Sequence, residues 1–144
     1  MLTIRMRVHL YLPAKLYGFC QGDDGVMVFF HAKSFSPGIH LEIQPPPIIG
    51  EFVDVTYEPD AQGGRAPQAV SVLRTSPPVV LEGVVESFDA NQGWGFLQGS
   101  DMVSYFLHRC EILGKRIPFV ADKVRFHAGW KNGRPRACYA HILR

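Results

Sequence analysis

Long apolar runs, a cysteine framework and strong net charge are all missing from this 144-residue chain. No stretch approaches the roughly 20 apolar residues that a membrane helix needs, so no membrane partner is expected. Three cysteines make an odd number without framework spacing, and the start "MLTIRMRVHLYLPAK" has no apolar segment followed by a cleavage site. The chain is therefore read as reduced, intracellular and cytoplasmic. Charged residues are only 19% and the formal net charge is +2, too little by itself to announce a polyanionic partner. The charge is uneven, however: six Lys/Arg stand against seven Asp/Glu over 1–74, and nine against six over 75–144.

Catalytic signatures are absent as well. There is no Walker loop, no paired carboxylate and no nucleophile–base constellation, so neither an enzyme nor a cofactor is expected. His108-x-Cys110 and Cys138-x-x-His141 make a zinc set only on paper. Cys138 and His141 are three residues apart and point to opposite faces of a strand, whereas structural zinc sites usually carry a tight pair. No metal site is expected.

What the chain does have is a repeat. With 47% hydrophobic residues it is not disordered, and its eleven Pro and fourteen Gly among many Val and Phe favour short strands and turns. Sliding it by 77 places lays "YGFCQGDDGVMVFFH" over "WGFLQGSDMVSYFLH" without a gap. Gly18, Phe19, Gln21, Gly22, Asp24, Val26, Phe29 and His31 recur as Gly95, Phe96, Gln98, Gly99, Asp101, Val103, Phe106 and His108. A duplicated unit follows, with the boundary at "RTSPPVV" over 74–80, whose two prolines make a stiff connector. The expected division is a first domain over 1–74, a linker over 75–80 and a second domain over 81–144. Within the first copy, strands are expected over 5–12, 16–21, 26–31, 52–57 and 68–73, with an Asp-Gly hairpin at Asp24-Gly25 and a long proline-bearing loop after His31. The second copy repeats them over 81–89, 94–98, 103–108, 123–128 and 137–143. Five short antiparallel strands in about 70 residues suggest an all-β chain of two small barrels, because closure hides strand edges.

The paired motifs resemble those of the cold-shock domain. That family opens on a strand of the form G-x-V-K-W-F-N and carries an RNP1 motif K-G-F/Y-G-F-I and an RNP2 motif D-V-F-V-H. The second copy reads "GVVESFD", "QGWGFL" and "SYFLH" in that order, and the first has "KLYGFC" and "MVFFH" for the two RNP motifs. The chain departs from the pattern at the first-strand Trp (Leu10, Ser87), at the RNP1 Lys (Gln92) and its Gly (Leu16), and after the RNP2 His (Ala32, Arg109). The resemblance implies two tandem five-stranded antiparallel OB-type barrels that bind single-stranded RNA or DNA, in roles such as RNA chaperone, antiterminator or single-strand protector.

The residue types suit that chemistry. Each nucleobase has a flat π-face, and aromatics side by side on a sheet hold successive unstacked bases at roughly 1–3 kcal/mol each. Strand alternation throws Tyr17, Phe19, Phe29 and His31 to one side of the first copy, and Trp94, Phe96, Phe106 and His108 to one side of the second. Tyr11 and Phe88 are expected to extend these platforms, with Lys15 and Arg109 meeting phosphates. The inner set, Cys20, Val28, Phe30, Leu97 and Leu107, is expected in the core. "KNGRPR", with Lys131, Arg134 and Arg136, reads first as a solvated turn and second as a phosphate clamp. The competing use of the outer rings is burial against the other copy, a second subunit or a protein partner such as a nucleic-acid enzyme.

Overall fold

A computed structural model of the chain describes residues 1–36, 45–59 and 67–144. Among the described residues, eleven strands and three short 3-10 turns account for the regular structure, and contacts divide the chain into units Met1–Pro77 and Pro78–Arg144. The first unit contains β1 (Leu2–Leu12), β2 (Tyr17–Gln21), β3 (Met27–His31), β4 (Phe35–Ser36), β5 (Phe52–Tyr57) and β6 (Ala69–Arg74). The second contains β7 (Val80–Asp89), β8 (Trp94–Gly99), β9 (Ser104–His108), β10 (Lys123–Lys131) and β11 (Arg134–Ile142).

The second unit is a closed barrel in the order β10-β11-β9-β8-β7, every pair antiparallel except β9 with β11. Numbered from its own first strand, the circuit runs one, two, three, five, four, with three parallel to five. This is OB topology. The first unit is a six-stranded sheet, β3-β2-β1-β5-β6-β4. A parallel bridge between Phe29 and Gln68 brings β3 to the head of β6, nearly closing the same circuit.

Two strand expectations are corrected. The first unit has six strands, because Phe35–Ser36 adds a short parallel pair to β6. The hairpin strands β10 and β11 run on to Lys131 and begin again at Arg134, well beyond 128 and before 137. The extension follows from the Asn132-Gly133 turn, where φ is 53° and 78°: a two-residue loop of this hand continues the twist of both strands. Of the long loop after His31, Ala32–Ser34 form a 3-10 turn, and the part over 37–44 lies outside the described residues.

Each core is filled by the inward set of the alternation. Cys20, Val28 and Phe30 in the first unit, and Leu97 and Leu107 in the second, are fully buried. Full burial of a side chain such as Phe30 or Phe126 contributes about 1.5–3 kcal/mol. Arg74 is buried too, at the end of β6. It is clamped on Glu51 at 2.7 Å, donates to the Pro45 and Pro46 carbonyls and sits 5.0 Å over the Phe35 ring.

The first strand of each unit carries a β-bulge, between Val8 and Leu10 and between Val85 and Ser87. The extra residue inverts the alternation beyond it. Glycine follows on the neighbouring strand, since a Cβ at Gly18 would collide with the Leu10 carbonyl oxygen and one at Gly95 with that of Ser87.

Candidate nucleic-acid interface

Cross-strand register arranges the outward side chains of the first unit in rows. Tyr17 stands opposite His31, and Phe19 opposite both Phe29 and Leu10. The Phe29 ring lies 5.4 Å from Tyr17 and 5.6 Å from Phe19, centroid to centroid. In the second unit Trp94 stands opposite His108, and Phe96 opposite Phe106 and Ser87. Trp94 and Phe106 are near-parallel at 6.0 Å, with Phe96 edge-on to both. All eight predicted ring residues are thus brought together as two four-membered arrays, partly exposed, on β2–β3 and β8–β9.

Tyr11 and Phe88 do not extend these arrays. Tyr11 is a core residue, 8% exposed and stacked on Phe30, and Phe88 packs against the second core. The bulges are the reason: counting by two from Val8 or Val85 puts both residues on the wrong side once an extra residue intervenes. Leu10 and Ser87 hold the outward places instead.

Each histidine has a structural task as well as a ring on the array. His31 Nδ1 accepts from the Lys33 backbone N–H, and His108 Nδ1 from that of Cys110, both at 3.1 Å, capping the 3-10 turns that follow. An accepting Nδ1 leaves the ring proton on Nε2, the donor side. Burial, then the charges of Arg136 and Arg109, hold the His108 pKa below its usual value, so its neutral form dominates.

The aspartates shared by the two copies serve the turns. Asp24 Oδ1 accepts from Val26 N–H and Asp101 Oδ1 from Val103 N–H. Lys15 is exposed in the β1–β2 turn, and exposed Arg109 lies across Gly93 at the mouth of the β8–β9 array. Gln92, standing where the resemblance puts a lysine, accepts from Trp94 Nε1 at 3.0 Å and steadies the indole. Left-handed φ at Gly93 (81°) recurs at Leu16 (61°), where a side chain must tolerate it.

Two features escape a period-two reading. Arg7 sits 4.2 Å over the exposed Phe52 ring, in the row that continues Gln21 across β1 to β5. No repeat signal marks this pair, because Val84 and Lys123 occupy the corresponding row of the second unit. The other feature is the β10–β11 hairpin: Arg136 is the register partner of Phe106 across the parallel β9–β11 pair. Arg134 and Arg136 lie 5.8 and 5.5 Å from the Phe106 centroid. "KNGRPR" is therefore a turn, and it stands directly against the second array. Cys138 is buried and His141 exposed, and the expectation that they face opposite ways is corrected: register sets them against His127 and Arg125, on the side of the sheet away from Phe126, because an irregularity on β11 adds a residue between them. Among the described residues no three His, Cys, Asp or Glu side chains cluster as metal ligands.

No family model and no curated protein sequence matches the chain. Among solved structures it is similar to Drosophila Unr CSD456, at 20% identity and a TM-score of 0.43, over 100% of this chain and 62% of that one. The chain thus spans less than two thirds of that neighbour's length. Its fold rests on its own strand order and register.

Proposed function

We propose that the chain binds single-stranded RNA or DNA on the two ring arrays, each unit acting as one cold-shock-type OB domain, without catalysis. A role as RNA chaperone, antiterminator or single-strand protector follows from such binding. The observation that carries this reading is the pair of register-matched, partly exposed arrays, Tyr17, Phe19, Phe29 and His31, and Trp94, Phe96, Phe106 and His108. Rings kept at a sheet surface forgo burial, and unpaired bases supply the flat apolar partner they lack. Fluorescence anisotropy with unstructured RNA and DNA oligomers tests it: single strands bind more tightly than a duplex of equal length. Equal or tighter duplex binding overturns it.

A protein partner is the second reading, favoured by one observation. On the β9–β10 connection Leu113, Ile117, Phe119 and Val120 are 50–67% exposed. That segment is held in place by Arg144, which donates to the Ile117 carbonyl and lies 4.7 Å over Phe119. If Phe119→Ser leaves oligomer affinity intact while a nucleic-acid enzyme co-purifies only with the unsubstituted chain, this surface serves protein contact.

A further inference from the structure

Beside the second array the fold builds an open groove of about 250 Å³, lined by Phe106, Lys131, Asn132, Arg134 and Arg136. Its wall is the tight Asn132-Gly133 hairpin, a rigid support for the side chains that flank it. Arg134 and Arg136 alternate on β11, so both face the side on which β9 presents Phe106. Arg136 is only partly provided for: one terminal nitrogen donates to Cys110 Sγ at 3.5 Å, and Nε is buried without an acceptor. A buried donor left unpaired is costly, and an acceptor arriving with a ligand removes that cost.

Glu111 is near enough to feel the charge of Arg136: burial raises its carboxyl pKa, and Arg136 is the chief influence against that rise, with bonds from Cys138 and the Tyr139 backbone also holding it down. The Arg136 guanidinium presents a planar fork of donors, which suits it to reading a base edge. Lys131, a compact charge on the same groove, can meet a phosphate as a point charge.

We propose that this groove is a guanine-selecting subsite, in which a guanine stacked on Phe106 offers O6 and N7 to the Arg136 guanidinium. The inference rests on the single-strand reading of the ring array. Guanine is favoured because O6 and N7 are adjacent acceptors on one edge, the match for an arginine fork, whereas adenine pairs N7 with an amino donor there. The guanidinium tilts from its place over Phe106 as the base enters, freeing Nε to donate. In the first unit Gln68 stands beside Phe29 where Arg136 stands beside Phe106, so the preference belongs to the second unit.

The test uses the intact chain and equal-length oligomers: all-uridine, and the same with one internal guanine, adenine or cytosine. The guanine oligomer binds about tenfold more tightly than the uridine one. In Arg136→Gln and Arg136→Lys, each checked for folding by thermal melting, the ratio of the two affinities collapses toward one. Retention of the ratio in Arg136→Lys, which keeps the charge but not the fork, overturns the proposal in favour of a phosphate site. Equal preference for cytosine, or none for any base, also overturns it while leaving single-strand binding standing. Failure of every oligomer to bind removes the array reading and the subsite together.

Discussion

The Leu10 carbonyl oxygen occupies the place that a Cβ on Gly18 would need, and Ser87 stands in the same relation to Gly95. Bulge and glycine are two halves of one device: the extra residue pushes a carbonyl toward the neighbouring strand, and only a residue without a side chain lets the strands close. Beyond the bulge the first strand turns its aromatic residue inward, and the outward rings are those of β2–β3 and β8–β9.

Tyr11→Ala therefore acts on stability. Removing a buried, stacked aromatic costs about 3–5 kcal/mol, and the loss appears in the melting of the first unit. Tyr11→Phe, which keeps the ring, leaves oligomer affinity near that of the parent chain. If Tyr11→Phe weakens binding several-fold while the protein melts normally, Tyr11 reaches the ligand and the inward placement is wrong.

Leu16 and Gly93 hold equivalent left-handed positions, and a side chain there costs about 1–2 kcal/mol relative to glycine. Allowing for the greater freedom of glycine in the unfolded chain, Leu16→Gly stabilises the first unit by about 0.5–1 kcal/mol. Gly93→Ala destabilises the second, since its Cβ would also come within 2.6 Å of Arg109 Cδ. Denaturant midpoints of the two variants check both signs.

Trp94→Ala weakens oligomer binding by about 1–3 kcal/mol, the worth of one stacked base. Lys15→Ala, at an exposed position on the β1–β2 turn, chiefly flattens the salt dependence, by about 0.7 in the log–log slope for one phosphate contact. Titrations at several salt concentrations separate the two. Normal binding by folded Trp94→Ala would show that the second array is idle.

Acid weakens the second unit through His108. Its pKa is lower folded than unfolded, so the unfolded chain takes up the proton first, and the stability its neutral ring contributes is present above about pH 6.5 and lost as pH falls below it. Protonation also takes Nδ1 from the Cys110 N–H that it caps. Thermal melts from about pH 7.5 to about pH 5.5 show the decline, and His108→Asn, which keeps a capping oxygen but does not titrate, reduces it. An unchanged decline in that variant would assign it to other groups.

Local pattern carries much of this protein. Alternation alone separates Cys20, Val28, Phe30, Leu97 and Leu107 from the rings that face outward, because side chains on a strand change sides at every residue whatever the strand pairs with. The 77-residue repeat, and the turn chemistry of Asp24 and Asp101, are likewise visible without any knowledge of distant neighbours. The bulges are not. A bulge exists only where two strands are compared, so Tyr11 and Phe88 look outward until β1 is laid against β2 and β7 against β8. The same holds for Arg7 on Phe52 and for Arg136 on Phe106, residues separated by 45 and 30 positions that meet only when the sheet is built. Sequence thus determined where the ring-bearing strands β2, β3, β8 and β9 lie and which of their faces carry rings. Tertiary pairing decided the register, the inversion at each bulge and the neighbours of the rings, because those depend on hydrogen bonds between segments that have no local signature of their partner.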